Sequence, residues 1–319
     1  MHSFFKRTLT ALAVSGLLTC NAMAASDGMP DELNIVYVKA PFNLQNMVLK
    51  ERSMLEKAFE GYGTQIVWHN ITSGAKQAQA MAAGAIDISA VMNTASFLMS
   101  NGADSTVLIA DGVAHPADTF AIVGPKGKKL TVKDLRGKKV AGPRGTVLHQ
   151  MLVAALKKEG MSIHDVDFVS MDPSPALSAL LTGNADAALL AASAVIKAEE
   201  SGCKVITTAK DLVNVNLVMT ASGSFAQNYP KALELVVKTH RAALKWITEN
   251  KEAAIEIGAK EHSISIKDAQ TLADWSNYYS TVTDKDIESL YLDQKFLIEN
   301  GMMQKEVDIK KLVLPTALQ

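Results

Sequence analysis

The turn Arg144-Gly145-Thr146 combines residue types that bind anions. An apolar run with helical spacing follows the turn and ends at Gly160, where a left-handed C-cap is expected, so the turn stands at the start of a predicted helix. A helix start has unpaired N–H groups and the positive end of the helix dipole. Arg144 adds a charge, and the Thr146 hydroxyl is predicted to cap the helix. The sequence therefore predicts an anion site here; the alternative is an ordinary turn with a solvated arginine.

Four further turns also carry polar side chains or free N–H groups ahead of predicted helices. These five turns, the first turn of the helix after Thr146, and the start of the strand predicted at 216–221 supply the candidate ligand-binding residues. They are Phe42, Asn43, Ser73, Gly74, Asn93, Thr94, Arg144, Gly145, Thr146, His149, Ala192, Ser193 and Asn216. Each hydroxyl or amide alone is more often a helix cap than a ligand contact. Their expected convergence at one edge of parallel strands favours binding of a small polar or anionic molecule.

Motifs for catalysis or metal binding are missing from the sequence. No Gly-x-Ser-x-Gly elbow occurs, and the glycines of Gly124–Lys128 lack the spacing of a phosphate loop. The histidines show no metal-ligand spacing, and Cys203 is the one cysteine after residue 24. We therefore expect no enzymatic activity, no metal and no cofactor. His149 either faces the ligand or is a packed, hydrogen-bonded histidine.

Strands and helices alternate in the order of a parallel α/β sheet. Strands are predicted at 34–38, 65–68 and 87–92, with one helix between Asn43 and Gly61 and another from Ser73 to Gly84. A spacing of 99 residues then separates three pairs, Gly61 and Gly160, Gly84 and Gly183, and Asp87 and Asp186. This repeat predicts two related lobes, each an open α/β sheet.

The lobe boundaries follow from two predicted crossover strands, at 118–123 and 216–221. We expect residues 25–118 and 221–319 to form lobe I, which is discontinuous, and residues 119–220 to form lobe II. In the second lobe, the helix equivalent to the one after Ser73 is predicted to start at Ser174-Pro175, because proline is favoured at the first helical position. The C-terminal segment after Pro230 has a helical pattern.

The first 24 residues have the pattern of a secretory signal peptide. Lys6-Arg7 precede an apolar run from Leu9 to Leu18, and Ala22-Met23-Ala24 offers a cleavage site. We therefore expect an exported, periplasmic and soluble product. A lipid anchor on Cys20 is the alternative, but Thr19 stands where Gly, Ala or Ser is usual.

The charge balance limits the classes of partner that the chain is expected to bind. The chain has 32 Lys and Arg against 33 Asp and Glu, and it stays close to neutral after loss of Lys6 and Arg7. A neutral chain is not suited to non-specific nucleic-acid binding. A single remaining cysteine cannot form an internal disulfide. We expect a monomer whose core needs no such cross-link.

Five sequence features together resemble one family. They are Ser73-Gly74 before a helix, the run 82–87, the run Leu130–Val140, the pair Thr146 and His149, and the segment Ser224-Phe225-Ala226 with Tyr229-Pro230. The similarity covers nearly all of the chain after the predicted signal peptide, from Leu33 to about Val313. The chain thus resembles the periplasmic substrate-binding proteins of ABC importers, in the branch that handles taurine, aliphatic sulfonates and nitrate.

This resemblance implies the two-lobe type II periplasmic-binding fold, with a mostly parallel sheet in each lobe and a helical C-terminal segment. It implies closure on a small anionic organic molecule, sulfonate- or carboxylate-like, and delivery to a membrane permease. One difference concerns the ligand: Ala191-Ala192-Ser193 replaces a usual Trp- and Pro-containing turn, and Val147 and Leu148 replace hydroxyl residues. A wider, more apolar lobe II side is therefore expected, and taurine fits less well. The alternatives are a pyrimidine-synthase-like enzyme on the same scaffold and a periplasmic sensor partner.

Overall fold

The structure is a computed structural model and describes residues 28–319. The predicted signal peptide and Cys20 lie outside the described residues. Within residues 28–319 the strands are β1 (Glu32–Tyr37), β2 (Gln65–Asn70), β3 (Ile88–Asn93), β4 (Val107–Ala114), β5 (Phe120–Gly124), β6 (Lys139–Gly142), β7 (Asp167–Ser170), β8 (Ala187–Ala191), β9 (Lys204–Thr208) and β10 (Leu217–Ser222).

The helices follow the strands in alternation and then fill the C-terminal segment. They are α1 (Leu44–Glu51), α2 (Met54–Phe59), α3 (Gly74–Ala82), α4 (Thr94–Asn101), α5 (Val147–Lys158), α6 (Pro173–Leu181), α7 (Ser193–Glu200), α8 (Gly223–Asn228), α9 (Pro230–Glu249), α10 (Lys251–His262), α11 (Ile266–Ser276) and α12 (Asp284–Glu299). Short 3-10 helices lie at Glu60–Tyr62, Ala117–Thr119, Val132–Leu135, Ile163–Asp165, Ile309–Leu312 and Pro315–Leu318. In this part of the chain, no helix has the length and apolar character needed to cross a membrane.

The ten strands form two sheets with the same internal arrangement. The first has the order β2-β1-β3-β10-β4 and the second β7-β6-β8-β5-β9. In the first sheet only β10 runs against the others, and in the second only β5 does. The prediction of two open, mostly parallel sheets is therefore confirmed. We refer to each sheet with the helices packed on it as the first and the second lobe.

The crossover between the lobes lies slightly earlier than the predicted boundary at residue 220. That boundary falls inside β10, which pairs with β4 from Leu217 to Ser222. Leu217 also pairs with Asn93 of β3. The whole strand therefore belongs to the first sheet.

Three predicted helices begin or end at different residues. The single helix expected between Asn43 and Gly61 is interrupted between α1 and α2, because Ser53 takes a left-handed conformation with φ 49°. The helix after Ser73 ends at Ala82, before Gly84, which has φ 72°. The helix predicted from Ser174-Pro175 starts one residue earlier, at Pro173.

The apolar core fills the space between each sheet and its helices. One cluster runs through the first sheet, includes the fully buried Phe59 and Phe97, and continues to Met151 of α5. A smaller cluster lies under α6 and α7 of the second lobe and includes Leu180 and Cys203. These cores hold the strand ends in place, and the strand ends carry the site described next.

Candidate functional site

A cavity of about 80 Å³ lies between the two lobes, at the carboxyl ends of their parallel strands. Such strand ends are where open α/β sheets bind ligands. We call it the strand-end cavity. Its lining residues are Val38, Ala40, Pro41, Thr72, Ser73, Gly74, Gln77, Val91, Asn93, Phe120, Pro143, Thr146, Val147, Leu148, Pro173, Ala191 and Leu217.

Within residues 28–319, the lining contains no ionisable side chain. Its polar side chains are the hydroxyls and carboxamides of Thr72, Ser73, Gln77, Asn93 and Thr146. With the exception of Thr146, the residues from the second lobe are apolar, and they include the Val147 and Leu148 that were singled out in the sequence. A ligand here would meet hydroxyls, carboxamides and backbone amides on one side and hydrocarbon on the other.

Asn93 lines the cavity and joins the two lobes. Its Oδ1 accepts hydrogen bonds from Ser96 N at 2.9 Å, in its own lobe, and from Val147 N at 3.2 Å, in the second lobe. Ser96 Oγ donates to Gly145 O at 2.8 Å across the same boundary. A Cβ on Gly74 would lie 2.6 Å from both Asn93 Nδ2 and Ser96 Oγ, so only glycine fits there with these bonds in place.

The start of α5 faces the cavity, but Thr146 does not cap it as predicted. Its backbone is extended, as at an N-cap, yet its hydroxyl donates to Pro143 O at 3.1 Å. Asn93 Oδ1 instead accepts from the Val147 N–H, the first amide of α5. The next two amides, of Leu148 and His149, lie in the first helical turn, where no intrahelical acceptor is available.

Arg144 and His149 pack on the same aromatic ring and do not line the strand-end cavity. The Arg144 side chain is exposed, and its guanidinium carbon lies 4.8 Å from the centre of the Phe168 ring. His149 is buried and stacks on that ring at 4.9 Å. Burial, and then the charge of Arg144, lower the pKa of His149 to about 4. His149 is thus a packed, neutral histidine whose Nδ1 accepts from Gly145 N at 3.4 Å.

Phe42 and Asn43 stabilise the turn after β1, and neither residue lines the strand-end cavity. Phe42 is fully buried, with its ring 5.1 Å from that of His262. Asn43 Nδ2 donates to Val38 O at 2.9 Å and to Ala40 O at 2.7 Å. These bonds fix the turn that does present Val38 and Ala40 to the cavity.

Ser193 makes a second contact between the lobes, and neither Ala192 nor Ser193 is in the lining of the strand-end cavity. Ser193 Oγ lies 2.8 Å from His262 Nδ1, and His262 Nε2 lies 3.0 Å from Lys39 O. Since a carbonyl only accepts, Nε2 carries the proton and Nδ1 accepts from the Ser193 hydroxyl. Burial lowers the pKa of His262 to about 4, which keeps the ring neutral. Ala192 precedes this contact with φ 50°, a rare conformation for alanine.

Thr94 and Asn216 connect β3 to β10 instead of lining the strand-end cavity. Thr94 N donates to Asn216 O at 3.1 Å. Asn216 Oδ1 accepts a hydrogen bond from the Tyr279 hydroxyl. Of the predicted site residues, the structure therefore brings Ser73, Gly74, Asn93 and Thr146 to the cavity lining.

Several lining residues were missed because they are apolar or lie inside an element. Gln77 is one turn into α3 and fully buried; its Nε2 donates to Ile71 O at 2.8 Å and its Oε1 accepts from Ser89 Oγ at 2.7 Å. Phe120 and Leu217 begin the two antiparallel strands, β5 and β10. Their only sequence signal was their place at the predicted crossovers.

Residues 28–319 contain no group of three or more His, Cys, Asp or Glu side chains that could hold a metal ion.

A comparison with protein-family models matches residues 60–254, more than half of the chain, to the family described as NMT1/THI5 like. The chain belongs to the NMT1/THI5-like family. The matched range contains both sheets from β2 onward and every lining residue after Pro41.

Named relatives of this NMT1/THI5-like chain are binding proteins. It is 26% identical over 325 residues to a putative aliphatic sulfonates-binding protein of Escherichia coli K12, with 98% of each chain covered. It is 27% identical over 190 residues to the taurine-binding periplasmic protein of the same organism, with 56% of each chain covered.

A solved structure shares the fold. The alkanesulfonate-binding protein SsuA from Xanthomonas axonopodis pv. citri, bound to MOPS, superimposes with a TM-score of 0.81 at 20% identity. The match covers 89% of this chain and 98% of that one. At this identity the likeness shows the fold: the NMT1/THI5-like chain has the two-lobe architecture predicted from its sequence.

Proposed function

We propose that this protein is the solute-binding component of an ABC import system, which closes on a small anionic organic molecule and delivers it to a membrane permease. The observation that carries the proposal is the strand-end cavity itself. Residues of both lobes line it, the lining residue Asn93 bridges the lobes, and the described lining residues lack ionisable groups. A ligand that contacts both lobes favours the closed arrangement, which a permease can recognise.

The anionic group is proposed to bind between the starts of α3 and α5. Both helix starts contribute lining residues, Ser73 and Gly74 from one and Thr146 and Val147 from the other. Helix starts favour negative charge without a cationic side chain. An anion that takes the Val147 N–H displaces Asn93 Oδ1, and Asn93 Nδ2 can then donate to the anion.

The remainder of the ligand is proposed to be hydrocarbon. Phe120, Val147 and Leu148 supply an apolar wall, and no carboxylate lines the cavity to accept an ammonium group. An alkanesulfonate therefore suits the lining better than the aminosulfonate taurine. A carboxylate with an alkyl chain is the second ligand class.

We also propose that the protein binds its ligand without converting it. The lining hydroxyls of Thr72, Ser73 and Thr146 have no ionisable side chain beside them in the cavity to act as a general base. Cys203, the one cysteine of the described residues, is buried in the second-lobe core. A periplasmic sensor partner would use the same closure, and its test is the signalling phenotype of a deletion strain.

The proposed lobes are residues 25–118 with 217–319 and residues 119–216, with the second boundary moved to the start of β10. A signal peptide ending at Ala24, a periplasmic location and a monomeric state complete the proposal. They are supported by the sequence of residues 1–24 and by the family. Intact-mass analysis of periplasmic extract tests the cleavage, and a diacylglyceryl-modified Cys20 would overturn it.

Calorimetric titration tests the ligand class. Butane-1-sulfonate, taurine, pentanoate and pentan-1-ol have similar sizes and differ in charge. We expect butane-1-sulfonate to bind at least about 10-fold more tightly than taurine, since taurine buries an unpaired ammonium. Pentan-1-ol is expected not to bind. Tight binding of the alcohol, or turnover of the sulfonate detected by mass spectrometry, would contradict the proposal.

A further inference from the structure

A second and larger cavity, of about 830 Å³, shares no lining residue with the strand-end cavity. It lies against α12, the α5 side chain Gln150 and the segment 210–216 that leads into β10. We call it the α12 cavity. Like the strand-end cavity it takes residues from both lobes, but its lining is rich in ionisable groups.

Two residues that line the α12 cavity each have a buried oxygen without a hydrogen-bond partner among residues 28–319. Gln150 Nε2 donates to Asp293 Oδ1 at 2.9 Å, which connects α5 to α12. The remaining oxygens, Gln150 Oε1 and Asp293 Oδ2, are buried and have no partner among residues 28–319. The side chains are 1% and 5% exposed. Two neighbouring acceptors without donors call for a ligand group that donates several hydrogen bonds.

The charge around these oxygens favours a cation. Burial raises the pKa of Asp293 to about 7, and the hydrogen bond from Gln150 opposes that rise. A bound cation would favour the ionised carboxylate. The other ionisable side chains that line the cavity are His115, Lys210, Asp211, Tyr279, Lys285 and Asp286. His115 and Asp286 bond to each other at 2.8 Å, and Lys210 lies 3.9 Å from Asp118. Asp293 is therefore the buried carboxylate of this lining that has no cationic partner among the described residues.

We propose that the α12 cavity binds a small organic molecule that carries a protonated primary amine. The ammonium group donates to Gln150 Oε1 and Asp293 Oδ2, and its hydrocarbon portion packs on Leu212, Val213 and Phe296 of the same lining. A primary ammonium has three donors and one positive charge, which match two acceptors and one carboxylate. The ligand would lie between α5 of the second lobe and α12 of the first.

Nuclear magnetic resonance titration tests this proposal with n-hexylammonium, hexanoate and hexan-1-ol as probes. The side-chain amide of Gln150 reports on the α12 cavity, and that of Asn93 reports on the strand-end cavity. We expect n-hexylammonium to shift the Gln150 signal saturably and to leave the Asn93 signal unchanged. Hexanoate and hexan-1-ol are expected to leave Gln150 unchanged.

Two variants and a control identify the carboxylate. Asp293→Asn keeps the shape and removes the charge, and we expect it to weaken n-hexylammonium binding at least about 10-fold, as for loss of a charge-assisted hydrogen bond. Gln150→Met is expected to weaken binding as well. Glu234→Gln removes an exposed carboxylate outside this lining and is expected to leave the affinity unchanged.

Three outcomes would overturn the proposal. The first is the absence of a saturable Gln150 shift up to about 10 mM n-hexylammonium, a concentration that detects even weak binding. The second is equal affinity in Asp293→Asn and the unmodified protein. The third is equal binding of hexan-1-ol, which would show that hydrocarbon alone is recognised.

Discussion

At the scale of single residues, the position of the Asn93 side chain depends on the absence of a side chain at Gly74. We expect Gly74→Ala to push Asn93 and Ser96 from their positions, because the new Cβ would lie 2.6 Å from a polar atom of each. Both side chains bond across the lobe boundary. The free energy of unfolding should fall by about 1–3 kcal/mol, as for overpacked sites. Urea denaturation measures this change.

Gly61→Ala is the matched control for Gly74→Ala. A Cβ on Gly61 would meet nothing within 4 Å, so its stability should change little. Equal stability of the two variants would show that Asn93 and Ser96 adjust without loss.

Arg144 is expected to act on His149 and not on the ligand. Arg144→Ala should change alkanesulfonate affinity less than about 3-fold, since charges outside the cavity are screened by solvent. The pKa of His149 should rise from about 4 because a nearby positive charge is removed. Proton-detected titration of the His149 ring measures that pKa. A 10-fold loss of affinity would place the guanidinium at the ligand.

Arg144→Ala should also change how the free energy of unfolding depends on pH. His149 has a folded pKa below the ordinary value of about 6.5, so the unfolded chain binds more protons between the two values. Stability is therefore lost as the pH falls from about 6.5 towards 4. By raising the folded pKa, Arg144→Ala should make this loss smaller.

The sequence predicted part of the site at the residue scale. Four predicted site residues line the strand-end cavity: Ser73, Gly74, Asn93 and Thr146. They could be selected from the sequence because polar residues and glycine directly before a predicted helix form a local pattern. The hydroxyl direction of Thr146 was predicted wrongly, because the hydroxyl donates to Pro143 O. The first amide of α5, that of Val147, has its acceptor in Asn93, which lies 54 residues earlier in the chain. Local spacing contains no information on such a contact.

At the scale of elements, the turn from β1 to α1 depends on one carboxamide. Asn43 Nδ2 donates to two carbonyls of this turn, Val38 O and Ala40 O. Asn43→Ala should lower stability by about 1–3 kcal/mol, because buried carbonyls lose their donors. Asn43→Asp should lower it further, since a buried carboxylate faces the same carbonyls. Thermal denaturation of both variants tests this order, and a more stable Asp variant would contradict it.

The element boundaries that were missed have local physical causes. Nothing in the sequence around Ser53 indicates its left-handed backbone, because serine lacks the glycine signal for that conformation. Pro173 and Pro175 both fit the first turn of a helix, so proline alone did not decide the start of α6.

At the scale of the whole molecule, the duplicated lobes explain why the fold was predictable. Asp87 Oδ2 accepts from Asn34 N at 2.8 Å in the first lobe, and Asp186 Oδ2 accepts from Lys139 N at 3.0 Å in the second. Each bond joins the aspartate directly before one strand (β3 or β8) to the neighbouring parallel strand (β1 or β6). The 99-residue spacing of these aspartates was thus a true structural repeat.

Closure of the two lobes involves an exposed ion pair, Lys76 Nζ to Asp172 Oδ2 at 2.8 Å, between α3 and the start of α6. We expect Lys76→Glu and Asp172→Lys each to weaken alkanesulfonate binding about 2- to 5-fold at low ionic strength, the range of surface ion pairs. The double exchange should restore the affinity, because the opposite charges face each other again. At about 1 M salt all four proteins should bind alike, since the Debye length is then about 3 Å.

Calorimetry on the four proteins measures this coupling, and small-angle X-ray scattering measures closure independently of affinity. The single variants should have a larger radius of gyration at low salt than the double variant. A double variant that remains as weak and as open as the singles would contradict attraction between these two charges. An effect that persists at high salt would point to lost packing by the Lys76 stem instead, because packing, unlike attraction between exposed charges, is not screened by salt.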